Sequence, residues 1–153
     1  MQLTHQDLYI PAQAGILRRI SAIAKKRPEP NGSPTSDLWG IDIESCIAEY
    51  LVSQVLDLSW KPFISNPGEL IADVGKRIQV RHTATPNGHL LMHKKDPSDQ
   101  NYVLVTGSMI NQKIAGWIPA TEGKLEKYWN TNCRTHCFWI PQSALQPITE
   151  LIK

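Results

Sequence analysis

Two carboxylates, an amide and a guanidinium stand at spacings that suit phosphate chemistry. Asp73 precedes Gly75, and Ile78-Gln79-Val80-Arg81 follows. Gly75 allows a tight reversal of the chain. In the strand beyond it, Arg77, Gln79 and Arg81 fall on one side and Ile78 and Val80 on the other, because strand side chains alternate. Asp73, Gln79 and Arg81 are therefore expected to converge near the reversal. A helix packed on that sheet would add a further acid. Over residues 41–57, Ile43, Ile47, Ala48, Leu51, Val52 and Val55 gather on one helical face, with Glu44 near its middle and Glu49 on its border. A carboxylate on an apolar stripe is costly unless it meets a cation, a metal or hydrogen-bond donors. One outcome is a structural ion pair with Arg77 or Arg81. The other is a site for a divalent ion, since Mg²⁺ takes hard oxygen ligands and keeps several waters. Such an ion orients a water and offsets charge on phosphate, and a neighbouring guanidinium stabilises the transition state.

These groups must be positioned by the elements around them. The spacing of Ile16, Leu17, Ile20, Ile23 and Ala24 predicts a first helix over 11–27, with Pro11 at its first position and Arg18, Arg19, Lys25, Lys26 and Arg27 on the other side and at the end. The prolines of 28–37 predict a loop. A second helix over 41–57, capped by Asp37 or Asp42, is followed by strands at 69–73, 76–83, 88–94, 101–107 and 112–118. A short helix is expected at 121–129, a last strand at 137–140 and a closing helix at 142–152. This order predicts one α+β domain over 1–153, a central mixed, largely antiparallel sheet flanked by helices.

Composition sets the bounds. The 153 residues suit a single core, with 41% hydrophobic and 20% charged residues. The net charge of +2 permits a nucleic-acid partner without demanding one. No 18-residue apolar run predicts a membrane span, and the first residues lack a signal-peptide layout. An odd cysteine count, three, argues against a disulfide framework and for a cytoplasmic setting.

The series IESCIAEYLVSQVLDLSW (43–60), DVG (73–75), QVRHT (79–83), DPSDQNYVLVTG (96–107) and IAGWIP (114–119) resembles the PD-(D/E)XK nuclease superfamily, in particular its small phage-borne and environmental members. The resemblance spans roughly residues 41–119. It implies a restriction-endonuclease-like core and Mg²⁺- or Mn²⁺-dependent endo- or exonucleolytic hydrolysis of DNA, in a host cytoplasm if the source is viral. It also implies pairing into a homodimer to cut both strands. Asp73 matches the metal-binding aspartate, Gln79 the second acidic ligand, Arg81 the usual lysine and Glu49 the helix glutamate. Helix geometry favours Glu44 instead, and both are kept. Two departures matter. Gln79 offers an oxygen without charge, and Arg81 stays protonated and is no general base. It can still hold a phosphate oxygen by donation. The alternative is a module that has lost catalysis and binds nucleic acid or a host protein.

Other clusters are weaker. His82, His89 and His93, or Cys133, His136 and Cys137, supply no clean set of four zinc ligands, and surface histidines with a partly buried thiol explain them. The cations of the first helix suit a solvated face as well as a nucleic-acid backbone. Trp117 and Trp139 read as core, and Trp129 as an exposed contact. No phosphate loop, nucleophile elbow or dinucleotide fingerprint is present.

Overall fold

The computed structural model describes residues 1–27, 37–62, 71–132 and 135–152. Two long helices, α1 (Tyr9–Ala24) and α2 (Leu38–Leu56), pack against each other. The Asp37 carboxylate caps α2 by accepting from the Gly40 N–H at 2.8 Å, satisfying a donor the helix cannot. The chain leaves α2 through Asp57 in the left-handed region, φ 50°.

A first sheet has the order β1 (Ile78–Thr83), β3 (Asn101–Thr106), β4 (Lys113–Pro119). β1 and β3 run parallel, Ile78 opposite Asn101 through Thr83 opposite Thr106, while β3 and β4 are antiparallel. A second sheet, antiparallel throughout, has the order β2 (Leu90–Met92), β6 (Cys137–Ile140), β5 (Trp129–Asn130). The alternation of β3 separates two cores. Val103 and Val105 pack with Ile47, Leu51 and Val52 of α2, and with Ile78 and Val80 of β1. Tyr102 and Leu104 face the other way, onto Leu90, Met92, Phe138 and Ile140 of the second sheet. The fold is α+β, with α2 on one face of the first sheet, α1 packed on α2, and the second sheet on the other face.

Several expectations change. The strands form two small sheets rather than one. Of the strand expected at 69–73, residues 69–70 lie outside the described set. Beyond them, only Val74 pairs, in single bridges to Trp60 and Ile78. The region 121–129 is a four-residue helix, α3 (Ala120–Gly123), followed by a 3-10 turn at Glu126–Tyr128. The closing helix is replaced by 3-10 turns at Gln142–Ala144 and Ile148–Leu151. Pro147 lies between them, without the N–H that a continuous helix needs there. Pro11 sits inside the first turn, because α1 begins two residues earlier, at Tyr9.

The rotation of α1 differs most. Pro11, Ala14, Gly15 and Arg19 are buried, whereas Ile16, Leu17, Ile20 and Ile23 are exposed. Gly15 is the reason. A Cβ built there would stand 2.5 Å from the Ile43 Cα, so the helices approach closely on that face. The residues flanking this contact turn inward, and Arg19 Nε pairs with Asp42 Oδ2 at 2.6 Å. No helix among the described residues is long and apolar enough to cross a membrane.

Candidate active site

Glu49 reaches the site from α2. It is almost fully buried, and its carboxylate accepts two parallel bonds from Arg18, Nη1 to Oε1 at 2.9 Å and Nη2 to Oε2 at 3.1 Å. Trp60 Nε1 donates to the same Oε2 at 3.1 Å. The expected partners Arg77 and Arg81 are not the ones used. Burial works against the Arg18 charge, but the charge and hydrogen bonds of Glu49 more than offset it and hold the guanidinium above its ordinary range.

Asp73 arrives from the reversal before β1. Gly75 has φ 59° and donates its N–H to Ser59 O at 3.1 Å, which fastens the turn to the exit of α2. Asp73 Oδ2 accepts the Val80 N–H at 2.8 Å. Although partly open to the cleft, the carboxyl is hemmed in by protein atoms. Burial pushes it up to about 7, the negative charge of Glu49 pushes the same way, and the Val80 N–H, Arg81 and Arg18 oppose them.

Arg81 projects from β1 and donates from Nη2 to Asp96 Oδ2 at 2.9 Å, with its guanidinium carbon 5.2 Å from the Tyr102 ring centre. Asp96 belongs to a turn pinned from several sides. Its carboxylate also accepts the His93 N–H at 2.9 Å, Tyr102 OH donates to Pro97 O at 3.1 Å, and Lys124 Nζ donates to the carbonyls of Lys94 and Asp96. Asp96 and the ring together fix the direction of a guanidinium that remains 30% exposed.

These segments close around one cleft of about 520 Å³, lined by Arg18, Glu49, Asp73, Arg81, His93 and Asp96 among others. Burial lowers the His93 imidazole from its ordinary value; Arg81 and Lys95 act with burial and Asp96 against it, so the ring is neutral at pH 7.

Of the five residues singled out from the sequence, Glu49, Asp73 and Arg81 come together here. Gln79 does not line this cleft. It is buried, and its Nε2 donates to Ile71 O at 3.0 Å, tying β1 to the segment that leads into Asp73. Glu44 lies elsewhere, accepting from Gln112 Nε2 at 2.7 Å and from the Met109 N–H at 3.0 Å, and so fastens the β3–β4 connection to α2. Arg18, His93 and Asp96 are additions. The series Asp96-Pro97-Ser98-Asp99 carries a turn signal, but nothing in it announces that Asp96 would orient Arg81. Arg18 was concealed by the apolar periodicity of its own helix.

His82, His89 and His93 stay near one another around the two hollows beside Arg81, but each has its own surroundings. His82 Nε2 lies 2.7 Å from Gly107 O, and His89 packs edge-on to Trp139. Cys133 lies outside the described residues. Among the described residues no three His, Cys, Asp or Glu side chains gather as a metal cluster. The cleft offers two neighbouring carboxylates, and burial, followed by the charge of Glu49, pushes that of Asp73 up. Asp73 and Glu49 are the hard oxygen donors that could hold a divalent ion, with Arg18 giving up its hold on Glu49 and water or phosphate oxygen completing the shell.

Compared with protein-family models, curated proteins and solved structures, the chain matches none.

Proposed function

We propose that this chain is a DNA phosphodiesterase of PD-(D/E)XK type on a restriction-endonuclease-like core, using Mg²⁺ or Mn²⁺ held by Asp73 and Glu49. The observation that carries the reading is the meeting of Glu49, Asp73 and Arg81, from a helix, a turn and a strand, in one cleft. A bound ion would supply a polarised water and offset charge on the phosphate. Arg81, oriented by Asp96, donates to a non-bridging phosphate oxygen. His93, neutral and in the same cleft, accepts the proton that the attacking water gives up. Asp73 acts as ligand once it has lost its own proton. Gln79 serves by position, holding the strand and the Asp73 segment in register.

The test is cleavage of plasmid and single-stranded DNA with Mg²⁺ or Mn²⁺, comparing the parent with Asp73→Ala. The reading expects cutting by the parent and at least a hundredfold loss in the variant, on the scale of about 10²–10³ for removing one transition-state contact. Equal cutting by both, or none by either, would overturn it.

A second reading is favoured by one feature. Both Glu49 oxygens already hold Arg18. In this reading the guanidinium stands where the ion would, and the chain binds nucleic acid or a host protein without turnover. A melting temperature unmoved by Mn²⁺ supports it, since a specific ligand of the folded state raises that temperature.

A further inference from the structure

Beside the cleft lies a second hollow of about 400 Å³, and the outward face of the second sheet forms one of its walls. Trp139 and Leu91 are cross-strand partners on β6 and β2, and each is 39% exposed. Solvent-facing positions of a half-buried sheet are ordinarily polar, yet here they are an indole and a leucine. His89 meets the indole edge-on with ring centres 5.2 Å apart. Asn87 and Gly88 form the rim, held by Gln142, whose Nε2 donates to Pro86 O at 2.8 Å and to Gly88 O at 2.9 Å. Arg81, His82 and Leu91 line both hollows, so the two meet at Arg81.

We propose that this hollow is a subsite for one unpaired nucleobase of a single-stranded polynucleotide, adjoining the phosphate held by Arg81. Trp139 supplies a flat apolar surface for the base, and the sequence-tolerant character of aromatic stacking suits any of them. His89 and Asn87 supply hydrogen-bonding groups for its edge. A paired base has its faces covered in the stack, and only an unpaired one can enter. The size falls within the range of small-molecule sites, roughly 300–1,000 Å³, which admits a nucleoside but not a duplex. The inference rests on Arg81 as a phosphate contact and extends that reading to strandedness.

The experiment is binding without metal, in EDTA, so that turnover plays no part. A single strand of about twelve thymidines, within the usual site sizes of such grooves, is titrated against the parent, Trp139→Ala and Trp139→Phe. The melting temperature of each variant is checked first. The proposal expects Trp139→Ala to weaken binding about tenfold, the stacking of one base, and Trp139→Phe to restore most of it. It also expects a duplex of equal length to bind no more weakly to Trp139→Ala than to the parent. A parent that binds the strand as tightly as a stably folded Trp139→Ala overturns the base subsite and leaves the Arg81 contact standing. A parent that binds no polynucleotide overturns both.

Discussion

Arg18 on α1 and Glu49 on α2 face each other as a two-pronged ion pair, with N–O distances of 2.9 and 3.1 Å, and this pair joins the helix packing to the cleft. The carboxylate is 7% exposed and the guanidinium 20%. Glu49→Gln keeps the shape and removes the charge. Breaking one partner of a fully buried pair costs about 3–5 kcal/mol. With Arg18 partly screened by solvent, about 2–3 kcal/mol is expected, measured by urea denaturation. A loss below about 0.5 kcal/mol would show that the pair is merely superficial.

Gly15 controls the same pair from a distance. A methyl group there meets the Ile43 backbone, so the two helices must move apart. Gly15→Ala should cost about 1–3 kcal/mol as overpacking, despite the better helix propensity of alanine. Its effect should be sub-additive with that of Glu49→Gln, because helix separation already loosens the fork. A double-mutant cycle in denaturant checks this.

Asp73 gives the protein a pH signature. Burial and the charge of Glu49 push its carboxyl up to about 7, from an ordinary value of 3.8 in the unfolded chain. Between these values the folded state holds the extra proton, so this group's contribution to stability is fully present below about pH 4 and is lost as pH rises through about 7. In EDTA the parent should therefore lose stability, on the order of a few kcal/mol at most, between those limits. Asp73→Asn should flatten that slope, and thermal melts across the range will show whether it does.

Much of the scaffold was legible, and the limits are physical. The helix over 41–57 and the strands near 78, 101 and 113 follow from apolar runs of helical or strand length set between turn residues, although β3 is buried on both faces and β1 only in its first half. The second sheet was not legible as separate, because alternation at Leu90–Met92 and Cys137–Ile140 does not say which strand each will pair with. The α1 periodicity pointed at the wrong face, since the close contact at Gly15 outweighs the isoleucines. Trp139, read as core, lies on the outer face of β6, where a half-exposed aromatic gives the same strand signal as a buried one. In the site, alternation put Gln79 beside Arg81, but not that Gln79 would bond to Ile71 O.

In the proposed hydrolysis, Arg81 contacts the phosphate and Asp96 sets its direction. Arg81→Ala should lower kcat by about 10²–10³, the usual cost of removing one transition-state donor. Asp96→Asn should give a smaller loss, since the guanidinium stays but its direction is no longer fixed by charge. Steady-state cleavage kinetics separate the two; a larger loss at Asp96 than at Arg81 would reverse the assignment.

The account turns on one cation shared by Asp73 and Glu49. Calorimetric titration of Mn²⁺ into the parent and into Asp73→Asn at pH 8, above the range in which Asp73 holds its proton, tests that most directly. The expected result is one ion per chain for the parent, tighter at pH 8 than at pH 6, and none for the variant. Equal binding by both proteins, or no binding by the parent at pH 8, would contradict it.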